Sequence, residues 1–162
     1  DSLMPRDFQL CGLGNALVDI FLHLSDDEFA GYGLDRGTMR LVEKAEQETL
    51  LARFHDREPR LVSGGSVANS LIGFSQLGGK AAFVGCVGDD RYGLFYQREF
   101  EQLGIDLGNP AIYGEATGTC VCLVTPDAER TMRTCLAVSS HLADRHVDED
   151  RVRAADWLFV EG

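Results

Sequence analysis

The stretch Ser63-Gly64-Gly65-Ser66-Val67-Ala68-Asn69-Ser70 places two glycines directly before a segment that can begin a helix. Because glycine has no Cβ, the backbone N–H groups of Gly64 and Gly65 can approach a ligand closely. The free N–H groups at the start of a helix favour anions and hydroxyl-rich ligands. A tight strand-to-helix turn without any ligand explains the same residues, since short glycine motifs occur in many contexts. From this stretch alone, both interpretations stay open.

The composition is that of a globular protein and argues against two classes of function. The chain has 162 residues, enough for one domain with its own core. Acidic residues outnumber basic ones 26 to 15, which is unsuited to a nucleic-acid binder that neutralises phosphates. No apolar run approaches the roughly 20 residues of a membrane span, and residues 1–6 lack the pattern of a signal peptide. We therefore expect a cytoplasmic protein that binds neither nucleic acid nor membrane.

The cysteines predict neither disulfides nor a metal site. There are five of them, and they form no C-x-x-C pair: Cys11, Cys86, Cys120, Cys122 and Cys135. Four stand in apolar surroundings, which is typical of small buried side chains in a reducing compartment. Cys120 and Cys122 alternate on a strand-like segment without any supporting histidine spacing, so a zinc site is not expected.

Most of the chain alternates apolar strands with amphipathic helices. Residues 8–14 and 81–88 predict buried strands that end in glycines, and residues 66–77 and 89–104 predict helices. This order and spacing are typical of parallel βαβ units.

Other segments predict strands of a different kind. Residues 117–125 and 130–138 predict a β-hairpin around a turn at 126–129. Residues 37–42 alternate as a half-buried strand would, and residues 157–162 predict a further buried strand.

Two polar residues follow the first predicted strand. Asn15 and Asp19 stand just beyond its carboxyl end, where α/β folds bind their ligands, so both are candidates for binding hydroxyl groups. A turn-forming Asn and a surface acid explain the same two residues.

The motifs occur in one series along the chain. They are GLGNALVD at 12–19, GGSVAN at 64–69, GCVGDDRYG at 85–93, TGTC at 117–120 and ERTM at 129–132. Together they resemble the PfkB, or ribokinase-like, carbohydrate kinases, and residues 78–93 resemble the first of that family's two signatures. The last two motifs resemble the adenosine kinase branch. The resemblance covers nearly all of the chain in the family's order and spacing.

The resemblance implies an α/β fold: a three-layer α/β/α ribokinase-like sheet, here partial, with a small β-sheet lid. The lid segments would be approximately 17–24, 38–42 and 117–134. Residues 1–162 would form the N-terminal part of one kinase domain.

The resemblance also implies a set of acceptor-binding residues. Sugar hydroxyls would be held by Asn15, Asp19, Gly64, Gly65 and Asn69. An apolar base or sugar face would be covered by Met39, Leu41 and Met132. Arg130 matches an arginine near the site in adenosine kinases, although an exposed charge on a hairpin explains it equally well.

The second family signature, D-T-x-G-A-G-D, does not occur in the sequence. In the family it carries the catalytic aspartate and the glycines that hold the transferring phosphoryl group. The sites for ATP, Mg²⁺ and a monovalent cation would also lie mostly in the second half. We therefore expect no catalytic residue in this chain and no measurable phosphoryl transfer by residues 1–162 alone.

The function implied for the full-length protein is transfer of the ATP γ-phosphoryl group to a primary hydroxyl of a nucleoside or sugar. One alternative is a nucleoside- or sugar-binding module without catalysis. A dinucleotide-binding oxidoreductase is disfavoured, because Leu17 occupies the third glycine position of that motif. An apolar strand edge ending at Val160 would favour aggregation of the isolated chain or pairing with another chain, and a homo-oligomer is compatible with this.

Overall fold

A computed structural model describes residues 7–161, so the expectation for residues 1–6 lies outside the described part. The strands are β1 (Phe8–Leu13), β2 (Leu17–His23), β3 (Met39–Leu41), β4 (Arg60–Gly64), β5 (Ala81–Val84), β6 (Asp106–Leu107), β7 (Gly118–Val124), β8 (Arg130–Cys135) and β9 (Ala155–Val160). The α-helices are α1 (Asp26–Ala30), α2 (Lys44–Ala52), α3 (Ser66–Gln76), α4 (Arg91–Gln102) and α5 (Glu149–Arg153). Two 3₁₀-helices span Ala137–His141 and Asp144–His146. Within the described range, no helix is long and apolar enough to cross a bilayer.

The first sheet is parallel and has helices on both faces. Its strand order is β6-β5-β1-β9. Phe83 of β5 packs with Leu71 of α3 and Phe100 of α4. Its neighbour on the strand, Val84, points to the opposite face and packs with Val152 of α5. The predicted α/β fold with helices on both sides of the sheet is confirmed.

A glycine in β1 lets helix α3 lie close to the sheet. A Cβ at Gly12 would stand 2.5 Å from Cγ1 of Val67 and 2.7 Å from Cδ1 of Leu71. No larger residue fits at this position without displacing one of these two side chains. The close approach places the first turn of α3 beside the carboxyl end of β1.

The second sheet is mixed, with strand order β3-β8-β7-β2-β4. Strands β7 and β8 form the predicted antiparallel hairpin. Strand β2 pairs parallel with β7 and antiparallel with β4, which joins the sheet although the sequence did not place it there. The segments 17–24, 38–42 and 117–134 fall in this sheet, and its action as a lid stays a prediction.

The motif at 85–93 joins helix α4 to the start of β7. Asp90 caps α4 by accepting a hydrogen bond from the Gly93 N–H at 2.9 Å. Its carboxylate also accepts from the Thr117 hydroxyl at 2.6 Å and the Thr117 N–H at 3.0 Å. Burial raises the pKa of this carboxyl, but these hydrogen bonds outweigh it and the net pKa is lowered. Asp90 therefore has a structural role: it connects the start of α4 to Thr117, the residue before β7.

Three expectations from the sequence were wrong. The segment predicted as half-buried, 37–42, contains β3, in which Met39 is 58% and Leu41 61% exposed. The strand predicted as buried, 157–162, contains most of β9, in which Trp157 is 75% exposed. Both are edge strands that pair on one side only, so apolar composition alone does not bury them. The extended segment predicted to reach residue 138 ends at Cys135, and a 3₁₀-helix follows.

Candidate functional site

The two glycines of the opening motif connect β4 to α3 at a point where side chains do not fit. Gly65 has φ +107°, and a Cβ there would stand 2.1 Å from the backbone oxygen of Asn15. A Cβ at Gly64 would stand 2.7 Å from Oδ2 of Asp19. A residue with a side chain is therefore excluded at Gly65, whereas at Gly64 it would have to displace the Asp19 carboxylate. The glycines bring the backbone into contact with both of the polar residues predicted after β1.

A residue that the sequence analysis missed, Glu161, lies at the centre of this edge. Its Oε1 accepts hydrogen bonds from the Asn15 side-chain amide at 3.0 Å and the Asn15 N–H at 3.3 Å. Its Oε2 accepts from the Ser66 hydroxyl and from the Val67 N–H. The carboxylate thus joins the end of β9, the end of β1 and the first turn of α3. Glu161 could have been selected from the sequence, because it directly follows an apolar strand. Asn15 was selected for the same reason, as a polar residue after β1.

Asp19 is a half-buried carboxylate in β2 with a perturbed pKa. Burial raises the pKa of Asp19 to about 6, and the positive charge of Arg130 opposes the rise. The Arg130 guanidinium lies over the Phe21 ring at 5.7 Å from its centroid, and Phe21 is two residues from Asp19 on the same strand face. Arg130 therefore acts electrostatically on Asp19 from an exposed position on β8.

The strand register of the second sheet aligns further predicted residues with Asp19. Residues paired across neighbouring strands point to the same face. One cross-strand row consists of Asp19, Cys120, Thr134 and Leu41, and the next consists of Phe21, Cys122, Met132 and Met39. The rows run across three strand spacings, roughly 14 Å, from the carboxylate of Asp19 to the exposed apolar side chains of β3. This face of the second sheet thus has a polar end at Asp19 and an apolar end at β3.

The predicted residues fall into two groups by position. Asn15 lies beside Gly65, and Asp19 lies beside Gly64. Asn69 lies in the first turn of α3, where its N–H donates to the Gly65 oxygen at 2.8 Å and its side chain is exposed. Met39, Leu41, Met132 and Arg130 lie on the face of the second sheet. The site is open to solvent at the exposed side chains of Asn69, Met39, Leu41 and Arg130.

The described residues do not suit the phosphates of ATP or Mg²⁺. The N-terminus of α3 is the expected place for an anion, but the Glu161 carboxylate already accepts hydrogen bonds from it. Mg²⁺ requires clustered oxygen ligands, and the cluster of metal-binding groups found within residues 7–161 is Asp19 with Cys120 and Cys122. Two thiols are unsuitable ligands for so hard a cation. Residues 7–161 therefore offer no fitting site for the ATP phosphates or for Mg²⁺.

A cavity of about 530 Å³ lies away from these residues. It is lined by Ile20 and Leu22, which alternate with Asp19 and Phe21 on β2 and so face the other side of the second sheet. None of the predicted site residues lines it. The candidate site is a surface between the glycine loop and the second sheet rather than this cavity.

Comparison with known proteins shows the family of this chain. Residues 37–162 match the model of the pfkB family of carbohydrate kinases. Adenosine kinase of Saccharomyces cerevisiae is 27% identical over 158 residues, which cover 93% of this chain and 46% of that protein. Fructokinase of Klebsiella pneumoniae is 32% identical over 108 residues, which cover 65% of this chain and 35% of that protein. The chain thus spans half or less of the length of these curated relatives.

A solved structure agrees with the fold. The crystal structure of adenosine kinase from Sinorhizobium meliloti superposes with a TM-score of 0.84 at 29% identity, covering 94% of this chain and 46% of that one. The match includes both sheets, since it leaves out only a few per cent of the residues.

Proposed function

This chain belongs to the pfkB family of carbohydrate kinases, and from this we propose that the whole protein phosphorylates an adenosine-like nucleoside with ATP. In this reaction the γ-phosphoryl group passes to a primary hydroxyl of the acceptor, giving a phosphate ester, ADP and a proton. The residues described here would bind the acceptor.

The observation that carries this proposal is that Asn15 and Asp19 both lie beside the Gly64–Gly65 backbone. A carboxylate can accept hydrogen bonds from two neighbouring hydroxyl groups, and an amide side chain can both donate and accept. Exposed backbone at two glycines allows a sugar ring to approach closely. The Glu161 carboxylate accepts from Asn15, which supports a fixed orientation for the Asn15 amide.

The preference for a nucleoside over a simple sugar rests on the apolar end of the same face. Met39 and Leu41 are exposed, and Met132 lies beside Met39 in the strand register. An apolar base packed on these side chains would bury surface that the chain leaves in water. Likeness to adenosine kinases along more than nine-tenths of the chain favours the same acceptor class. We also propose a reducing, cytoplasmic location, where the five buried free cysteines would persist.

The proposal can be tested with the full-length protein that carries this sequence. Incubated with ATP and Mg²⁺, it should turn over adenosine faster than ribose or fructose, with formation of a phosphorylated acceptor and ADP. Absence of turnover with adenosine would refute the proposed nucleoside kinase function.

A second candidate function is acceptor binding without catalysis, because Asn15 and Asp19 beside the glycine loop could bind an acceptor by themselves. Calorimetric titration separates the two functions. A protein that binds adenosine saturably but never forms ADP is a binding module.

The role of Asp19 can be tested by substitution. Asp19→Ala should weaken acceptor binding by at least about 100-fold, because a charged hydrogen-bond partner of two hydroxyls is lost. The melting temperature at neutral pH should not fall. Asp35→Ala, at an exposed acid in a loop, is the matched control. Equal losses of binding and of stability in Asp19→Ala would make Asp19 a structural residue instead.

A further inference from the structure

Two thiols and a carboxylate meet on the face of the second sheet. Cys120 and Cys122 are two residues apart on β7 and so point to the same side, and Asp19 of β2 pairs in register with Cys120. The two Sγ atoms lie 3.6 Å apart. The two sulfurs and the nearer carboxylate oxygen all lie within 4.8 Å of one another.

These separations are close to those of ligands around one tetrahedral zinc ion. Bonds of about 2.3 Å to two sulfurs at a tetrahedral angle place the sulfurs about 3.8 Å apart. A bond of about 2.1 Å to an oxygen places that oxygen about 3.6 Å from each sulfur. The thiols already have this spacing, and Asp19 needs a movement of roughly 1 Å, within reach of a rotation about its side-chain bonds.

We propose that Asp19, Cys120 and Cys122 bind a thiophilic divalent cation of the Zn²⁺ type, and that the bound cation competes with the acceptor for Asp19. Binding transfers one proton from each thiol to solvent, while the carboxylate binds without losing a proton at neutral pH. Three protein ligands leave a fourth position for water. The bound cation would act as an inhibitor, because Asp19 cannot hold the cation and the acceptor hydroxyls together.

The surroundings of the thiols support binding of a cation over formation of a disulfide. Alternate residues of a strand have Cα atoms roughly 6.6 Å apart, at the upper end of the range that a disulfide spans. Both cysteines are free and buried. The Thr134 hydroxyl donates to Sγ of Cys120 at 3.2 Å, an outer hydrogen bond of the kind that orients metal ligands.

This inference departs from the expectation that the chain has no metal site. That expectation rested on the spacing of cysteines and histidines along the sequence. The third ligand comes from β2, about a hundred residues earlier in the chain, and only the pairing of β2 with β7 brings it there.

The test uses Cd²⁺ as a spectroscopic probe and then Zn²⁺, added to metal-free, reduced protein without nucleotide. We expect one equivalent of Cd²⁺ to produce the ultraviolet thiolate-to-metal absorption band. Zn²⁺ should abolish that band with a stoichiometry of one, and excess Mg²⁺ should not. Absence of the band in the wild-type protein would overturn the proposal.

Three variants test the assignment of the ligands. The double variant Cys120→Ser with Cys122→Ser should lose the band. Cys135→Ser is the matched control, because Cys135 is a buried free cysteine of the same sheet whose partner, Thr119, lies on the opposite face. Asp19→Asn keeps both thiols and should weaken Zn²⁺ binding at least tenfold. Equal losses in Cys135→Ser, or no loss in Asp19→Asn, would refute this ligand set.

The competition is measured separately, because it alone rests on the proposed function. Adenosine at ten times its own dissociation constant should raise the apparent Kd for Zn²⁺ about 11-fold. An unchanged Kd in a protein that binds both ligands would refute the competition. The cadmium band decides the metal site whether or not the protein binds adenosine, so failure of one proposal is distinguishable from failure of the other.

Discussion

The Glu161 carboxylate accepts a hydrogen bond from the Asn15 side-chain amide at 3.0 Å, although the two residues are 146 positions apart in the chain. The contact joins the carboxyl ends of β1 and β9, which are parallel neighbours in the first sheet. Because the same carboxylate accepts from the Val67 N–H, the start of α3 is held in the same arrangement. The Asn15 side-chain amide is thereby held by a residue that directly follows another strand.

Glu161→Ala should weaken acceptor binding about tenfold, because Asn15 loses the partner that orients it. We expect only a small fall in melting temperature, since the lost hydrogen bonds lie at the edge of the sheet. Calorimetric titration with adenosine measures the change. The control, Glu101→Ala, removes an exposed acid of α4. Unchanged affinity in Glu161→Ala would show that Asn15 does not depend on this contact.

Acceptor affinity should depend on pH through Asp19. The carboxylate form accepts hydrogen bonds from hydroxyl groups, and the pKa of Asp19 is raised to about 6, mainly by burial. We therefore expect the affinity to be constant above about pH 7 and to fall toward tenfold per pH unit below pH 6. In Asp19→Asn the affinity should be weak, with this dependence absent. A wild-type profile that is flat between pH 5 and pH 8 would contradict the assignment.

The free energy of unfolding should depend on pH in the opposite direction: it should fall as the pH rises. The pKa of Asp19 has its ordinary value of 3.8 in the unfolded chain, whereas burial raises it to about 6 in the folded chain. Stability from this group is therefore greatest below the lower pKa and falls as the pH rises through the higher one. With allowance for solvent screening, the loss is about 1–2 kcal/mol. Denaturant unfolding of the wild type and Asp19→Asn at pH 4.5 and 7.5 measures it: the variant should gain relative stability at the higher pH.

Gly65→Ala should destabilise the protein by about 3 kcal/mol or more, because the new Cβ would collide with the backbone oxygen of Asn15 at 2.1 Å. Gly78→Ala is the matched control, since Gly78 also has positive φ, +93°, but no atom lies within 4 Å of its added Cβ. The control should lose only about 1 kcal/mol from backbone strain. Denaturant unfolding compares the two variants. Equal losses would show that the contact with Asn15 relaxes without cost.

The exposed edge strand β9 should promote self-association of a polypeptide of residues 1–162. Leu158 in β9 is 50% exposed and lies beside other exposed apolar residues of that strand. Leu94 is similarly exposed, at 47%, but lies in helix α4. Leu158→Lys should raise the monomer fraction, because a charge on an open strand edge opposes pairing. Leu94→Lys should leave it unchanged. Light scattering after size exclusion measures both, and a wild-type polypeptide that is already monomeric and unfolds cooperatively would contradict this prediction.

The sequence by itself determined the features that depend on neighbouring residues. Apolar runs that end in glycines predicted β1 and β5, helical spacing predicted α3 and α4, and the alternation after residue 117 predicted the hairpin of β7 and β8. The order of the motifs determined the family. These features could be predicted because turn chemistry and hydrophobic periodicity act over a few residues.

Only the tertiary structure decided which distant residues meet and which strands are covered. Glu161 lies beside Asn15 because β1 and β9 are neighbours, and Asp19 lies beside Cys120 because β2 pairs with β7. Trp157 and Met39 are exposed because their strands stand at sheet edges, although their apolar patterns resemble those of covered strands. The physical reason is that pairing between strands far apart in the chain is set by contacts between distant segments. A local pattern can predict the partner within a hairpin, but not a neighbour that comes from a distant part of the chain.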